Sequence, residues 1–287
     1  MAKDRLLNLF LTHMIVMRKG LHIGTSGWSY EDDWVGPFYQ SKKGMLGQYL
    51  DIFDTAEINS TFYSPPSKGF ISYLVKSTPK NTFFTAKLPQ KITHDHRLNI
   101  SEETREILND FFNRLKPISK RMYALLIQLP PWDIKTMGDL ESFLSELDNS
   151  FRYAIEFRDE SWLMNSTWEL LEAYDIAHVI VDEPKLPIDL RITTDFSYIR
   201  WHGHGEDVWY HYLYTKRELE DWLPHISHIC DRTNSVVAYF NNHFEGYAPF
   251  NALQMLQLLG KLTSKQDRKL QSMNKYFSLE QTRLDQF

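Results

Sequence analysis

Eight short apolar runs alternate with helix-patterned segments from Gly20 onward, and this alternation constrains the chain more than any other feature. The runs are Leu21–Thr25, Thr55–Asn59, Thr82–Lys87, Tyr123–Gln128, Tyr153–Phe157, Ala177–Val181, Tyr198–His202 and Val236–Asn241. Each is rich in β-branched or aromatic residues and stops at polar ones, as buried strands do. Between most of them apolar residues recur at helical spacing: Leu46, Tyr49, Leu50 and Phe53; Ile107, Leu108, Phe111, Phe112 and Leu115; Leu140, Phe143, Leu144 and Leu147; Leu219, Trp222, Leu223 and Ile226. Strands that alternate with helices pair in parallel, because each crossover returns the chain to the same sheet edge. Eight such units in roughly 250 residues favour a closed α/β structure, a single-domain TIM-type (β/α)8 barrel, over an open sheet. The sixth unit departs from the pattern. Only Glu183–Asp195 separates strands six and seven, and Pro184 and Pro187 lie within it, so an irregular loop is expected there in place of a helix.

The core of such a barrel needs a large apolar fraction, and 43% hydrophobic with 24% charged residues in 287 supplies it. A net charge of −5 gives no general attraction to nucleic acid, so any such contact needs a local basic patch. The single cysteine, Cys230, excludes an internal disulfide and any cysteine-built zinc site, and suits a reducing, cytoplasmic setting. No stretch is long and apolar enough for a membrane span. Leu6–Met17 imitates a signal segment, but Asn8, Thr12 and His13 interrupt it. Residues 1–19 read as an N-terminal extension, with Met14 or Met17 as alternative starts and removal of residues 1–16 expected to leave the fold intact. Residues 20–260 form the barrel and residues 261–287 a polar tail.

Active sites of these barrels sit at the C-terminal ends of the strands. Here those ends carry Ser26; Glu57 and Asn59; Lys87; Gln128; Glu156 and Arg158; Asp182; Arg200 and His202; Asn241 and Asn242. Glu57, Glu156 and Asp182 are candidates for acid and base work, with His202 beside them. Ser26, Asn59, Lys87, Gln128, Arg158, Arg200, Asn241 and Asn242 are candidates for holding an anionic substrate. The alternative for each is a structural ion pair within the barrel, expected for about half the set. The loop Trp201-His202-Gly203-His204-Gly205 has glycines that would let backbone amides approach a phosphate; a plain turn is the competing reading. His94, His96, His202, His204 and His243, with the carboxylates, leave room for a divalent metal, although their spacing carries no metal signature. Trp28, Tyr30, Trp34, Phe62, Tyr63, Trp162 and Trp201 would stack a sugar or a base, or pack loops onto the rim, as favoured for Trp28 and Trp162.

Seven motifs in order also resemble one family. They are Ile-Gly-Thr-Ser-Gly-Trp-Ser-Tyr (23–30), Trp-Val-Gly-Pro-Phe-Tyr (34–39), Glu-Ile-Asn-Ser-Thr-Phe-Tyr (57–63), Ile-Thr-His (92–94), Gln-Leu-Pro-Pro (128–131), Glu-Phe-Arg-Asp-Glu-Ser-Trp (156–162) and Tyr-Phe-Asn-Asn (239–242). Together they resemble the YecE-like family, domain of unknown function seventy-two. The resemblance runs from Gly20 to about Gly260 and implies a TIM-type barrel without implying a reaction. The family pattern has histidine where this chain has Asp159, which removes any role needing an imidazole there.

Three functions fit these residues. The first is phosphoester hydrolysis linked to nucleic acid, as in endonuclease IV-like barrels, an analogy of fold alone. The second is a metal-independent carbohydrate or sugar-phosphate enzyme using paired carboxylates. The third is a non-catalytic ligand-binding barrel. The tail adds a partner: Gln281, Leu284 and Phe287 follow the spacing of the box that docks on the DNA sliding clamp, with one terminal aromatic instead of two. In a 3₁₀ turn the three would share one side. An amphipathic α-helix with Leu270, Met273, Phe277 and Leu284 packed on the barrel is the competing reading.

Overall fold

The structure is a computed structural model and describes residues 20–284, with side chains through residue 279. All eight expected strands are present: β1 Gly20–Thr25, β2 Thr55–Ile58, β3 Phe83–Lys87, β4 Met122–Gln128, β5 Tyr153–Glu156, β6 Ile176–Asp182, β7 Phe196–Trp201 and β8 Ser235–Phe240. Neighbours pair in parallel in the order β1-β8-β7-β6-β5-β4-β3-β2. A bridge between Ser26 and Glu57, with Gly27 N donating to Glu57 O at 2.9 Å, joins the two ends and completes the TIM-type ring. Gly24 permits that closure, since a Cβ there would lie 2.4 Å from Thr55 O.

Strand parity sorts the side chains into two layers. Ala124, Leu126, Ala154, Ala177, Val179, Val181, Tyr198, Val237 and Tyr239 form the inner cluster. Leu125, Ile127, Ile155, Ile180, Ile199, Val236 and Ala238 join the outer core, against the helices. The inner layer contains hydroxyls, and they are paired: Thr55 Oγ1 with Tyr239 OH at 2.6 Å, and Thr85 Oγ1 with Tyr198 OH at 2.8 Å.

The helices are α1 Glu31–Trp34, α2 Met45–Leu50, α3 Ser60–Tyr63, α4 Lys68–Ser77, α5 Glu102–Leu115, α6 Leu140–Leu144, α7 Asn165–Ala173, α8 Lys216–Asp221, α9 Leu223–Arg232, α10 Tyr247–Leu258 and α11 Ser264–Leu284. Their starts follow local chemistry. Ser101 caps α5 by accepting from Thr104 N, and Thr215 with Glu218 forms a reciprocal capping box on α8. The expected helix around Trp222 is two: α8 ends before Trp222 and α9 begins with a proline in its first turn. Between β6 and β7 no helix forms, as expected from Pro184 and Pro187, and Glu183 bridges Leu186 instead.

The segment after Gly260 takes the amphipathic-helix form of the two readings of the tail. It forms α11, whose Leu270 and Met273 are fully buried and whose Phe277 packs 4.8 Å from Phe250 of α10. α10 is therefore apolar on two sides, facing β1 and β8 inward and α11 outward. Gln281 and Leu284 fall within the backbone of this α-helix rather than a 3₁₀ turn, and Phe287 lies outside the described residues, as does the 1–19 extension. Among the described residues no helix is long and apolar enough to cross a membrane.

Candidate functional site

Arg200 organises the upper end of the barrel. It projects inward from β7, two residues beyond Tyr198, and is buried. Its Nη1 donates to Glu156 Oε2 at 2.5 Å and to Gln128 Oε1 at 3.2 Å; its Nη2 donates to Glu57 Oε1 at 2.7 Å and Ser26 Oγ at 3.1 Å. Ser26 Oγ in turn donates to Glu57 Oε1 at 2.5 Å and accepts from Asn59 Nδ2 at 2.7 Å. Tyr198 OH donates to Glu57 Oε2 at 2.5 Å. One guanidinium thus bridges two carboxylates that are fully buried, which is how buried charge of both signs is tolerated.

A second guanidinium extends the network. Arg158 Nε donates to Glu156 Oε1 at 2.5 Å, its Nη2 lies 3.2 Å from His202 Nε2, and its Nη1 lies 3.5 Å from Glu183 Oε2. Asn241 Nδ2 meets His202 Nδ1 at 2.9 Å. Burial works against ionised Glu156, but Arg158 and Arg200 hold its carboxyl well below the usual carboxylate range. Burial and Arg158 push His202 down to about 3, so its imidazole is neutral near pH 7. Burial lifts Glu183 to about 7 against the pull of Arg158.

Above this network opens a cavity of about 790 Å³. Trp28, Tyr30, Phe62, Tyr63, Phe70 and Tyr210 give it aromatic walls; Asn59, Gln128 and Asn241 add amides; Lys87, His94, Arg200 and His243 add nitrogen. Lys87 is buried, with Nζ 3.8 Å from the centre of the Phe62 ring. Among the described residues no carboxylate or other hydrogen-bond partner holds that amine. Burial, then the charge on Arg200, push it down to about 7. His94 sits on a π-helical turn, Lys91–Asp95, and burial followed by Lys87 pushes it down to about 4.

The structure thus brings Ser26, Glu57, Asn59, Lys87, Gln128, Glu156, Arg158, Arg200, His202 and Asn241 into one assembly, but at two levels. Lys87, Asn59, Gln128, Arg200 and Asn241 line the cavity; Glu57, Glu156, Arg158 and His202 belong to the network beneath it. Two candidates are elsewhere. Asp182 has the outward parity of β6 and accepts from Trp222 Nε1 at 3.1 Å while pairing with His204 at 2.7 Å, under the helix layer. Asn242 likewise points outward, its Nδ2 donating to Tyr212 O and Asn251 Oδ1, each at 2.8 Å.

The glycine loop is a turn and not an anion cradle. Gly203 N donates to Tyr214 OH at 2.9 Å and Gly205 N to Trp209 O at 3.3 Å, so both amides are occupied. Histidines and carboxylates meet in pairs, as His202 with Glu156 at 3.3 Å and His204 with Asp182 at 2.7 Å. Among the described residues no three His, Cys, Asp or Glu side chains form a metal-holding group, and Arg200 fills the space between Glu57 and Glu156. His96 bonds Thr104 at 2.9 Å and faces Glu103 at 3.6 Å. Trp34, Trp162 and Trp201 are fully buried packing residues. Asp159, where the family pattern has histidine, accepts from Ser161 N at 3.0 Å and caps the turn Glu160–Trp162.

Sequence reasoning missed Tyr198, Glu183, Tyr210 and the position of Phe62 against Lys87. A signal existed for the first two: Tyr198 shares the parity of Arg200, and Glu183 that of Val179 and Val181, which selects it over Asp182.

Comparison with known proteins agrees with this architecture. The profile of the family described as "Protein of unknown function DUF72" matches residues 22–275. The chain is 29% identical to UPF0759 protein YunF of Bacillus subtilis, over 83% of this chain and 94% of that protein. It is 27% identical to UPF0759 protein YecE of Escherichia coli K12, over 72% and 81% respectively. A crystal structure of a DUF72 family protein from Thermotoga maritima superposes with a TM-score of 0.72 at 29% identity, covering 84% of this chain and 99% of that one. One from Enterococcus faecalis, at 23% identity and a TM-score of 0.71 over 85% and 99%, shows the same fold. By its motifs, its barrel and a match over nearly its whole length, the chain belongs to the DUF72 family of proteins of unknown function.

Proposed function

We propose that the cavity binds a small hydroxyl-rich molecule of the carbohydrate class and that the protein acts on it without metal, with Lys87 as the reactive side chain. The observation that carries this reading is the composition of the cavity wall. Flat aromatic faces beside amide groups and a single unpaired amine suit the apolar faces and hydroxyls of a sugar. The carboxylates take a different part from acid and base catalysis. Glu57 and Glu156 are each bound to Arg200, and that fixes the cavity floor and the position of Gln128. Metal-dependent phosphoester hydrolysis finds less support, because the donors it needs are separated.

The test is ligand-induced stabilisation of metal-free protein. Hexoses, pentoses and their phosphates are expected to raise the melting temperature, and nucleotides to do so less. Tyr63, 79% exposed on the cavity rim, provides a variant that spares the fold. Tyr63→Ala is expected to weaken sugar binding about fivefold, in keeping with roughly 1 kcal/mol for a stacked ring, with an unchanged melting temperature in the absence of ligand. Equal stabilisation by every compound class, or none by any sugar, would sink the reading.

A further inference from the structure

We propose that Lys87 forms a covalent imine with the carbonyl carbon of its ligand, which makes the substrate an aldehyde or ketone such as the open-chain form of a sugar. The proposal deepens the carbohydrate reading above and rests on it. Three observations on the geometry point this way. Lys87 ends β3 and lines the cavity, which puts this lysine beside any molecule bound there. The carboxylates that would keep the amine charged are taken by other cations: Arg200 holds Glu57 and Glu156, and Arg158 holds Glu156 and faces Glu183. The face of Phe62 lies 3.8 Å from Nζ and covers the amine without accepting its proton.

A lysine meant to grip an anion would be held as a full cation. Burial, then the charge on Arg200, favours the neutral amine of Lys87, with Glu156 and Glu57 opposing and Arg158 adding to the effect. A neutral amine carries the lone pair that a carbonyl addition needs.

The step balances without a redox partner. The Nζ lone pair forms a bond to the carbonyl carbon as the C=O π pair moves to oxygen, and a proton passes from nitrogen to that oxygen to give a carbinolamine. The hydroxyl, protonated once more, leaves as water while nitrogen forms the C=N bond. One amine, one carbonyl compound and one proton yield one protonated imine and one water.

The experiment traps that bond in the full-length protein. Dihydroxyacetone and glycolaldehyde serve as probes, borohydride reduces any imine, and peptide mass mapping locates the new alkyl group. At pH 7 Lys87 is expected to be alkylated at least about tenfold faster than exposed Lys43 and Lys80, because burial pushes the Lys87 amine down to about 7. Lys87→Met is expected to remove the mark from that peptide only. Should that variant fail to fold, the rate comparison within wild-type protein still decides. Labelling of Lys87 no faster than that of Lys43 and Lys80 overturns imine formation, whether or not sugars bind. Stabilisation by non-carbonyl sugar alcohols together with absent labelling rejects the covalent step and keeps the carbohydrate site. Selective labelling that Tyr63→Ala leaves unchanged, with no sugar stabilising the protein, keeps the reactive amine and rejects the carbohydrate.

Discussion

Lys87 Nζ lies 3.8 Å above the centre of the Phe62 ring, so a lysine at the heart of the cavity has an aromatic face where an ion-pair partner would be expected. A cation–π contact with phenylalanine is weaker than an ion pair and does not repay full desolvation of an ammonium.

The first expectation follows from proton linkage. An unfolded lysine titrates near 10.4 and folded Lys87 near about 7, so between these values the unfolded state binds more protons and stability rises with pH. Below about pH 7 both states are protonated and the whole cost of burying the charge is present. Lys87→Met, similar in length and uncharged, is expected to stabilise the protein at pH 6 and to have little effect at pH 10. Urea unfolding at the two values measures this; a variant equally stable relative to wild type at both would show that the amine is not depressed.

Arg200→Met leaves Glu57 and Glu156 buried without their shared cation. Breaking a buried pair in this one-sided way costs about 3–5 kcal/mol, and here two carboxylates lose the same partner. Adding Glu57→Gln and Glu156→Gln to Arg200→Met is expected to recover part of the loss. Denaturant titration of the single and triple variants provides the comparison, and a triple variant less stable than the single one contradicts the charge-compensation account.

Glu183 supplies a dependence of opposite sign. Burial lifts its folded value to about 7, above the roughly 4.3 of an unfolded glutamate, so the folded state binds the extra proton between them. Its contribution to stability is therefore present below about pH 4 and lost as pH rises through 7. Glu183→Gln is expected to stabilise the protein at pH 8 and to be nearly neutral at pH 4. Melting curves at both values test this, with an equal shift at each counting against it.

Gly203 adopts φ +94°, and a Cβ there would lie 2.4 Å from Trp209 O. Gly203→Ala is expected to cost more than about 1 kcal/mol and to displace Tyr210 from the cavity wall, since backbone has to move to relieve the contact. Loss of sugar affinity with retained secondary structure is the expected signature. Unchanged stability and binding would mean that the loop yields without cost.

On α11, Leu270→Ala removes a fully buried side chain next to α10 and is expected to cost about 2–5 kcal/mol by thermal or denaturant unfolding. A surface tail would show no such loss.

The barrel itself was legible in the sequence because its signals are local and repeated. Hydrophobic period alone separates the strands from the helices, and Pro184 with Pro187 marks the unit that lacks one. The level at which catalytic candidates converge was legible for the same reason, since strand ends share one rim. Which side chains meet there was partly hidden. Asp182 and Glu183 are neighbours of equal chemistry, and only the pleat turns one to Trp222 and the other to Arg158. Whether Glu57 and Glu156 are catalytic carboxylates or halves of a salt bridge depends on the reach of Arg200 from a strand about 140 residues beyond Glu57. The state of Lys87 was decided by tertiary structure entirely. Its charge depends on solvent exclusion and on the nearby Arg200, Glu156, Glu57 and Arg158, and both are properties of the packed barrel that no run of sequence around residue 87 contains.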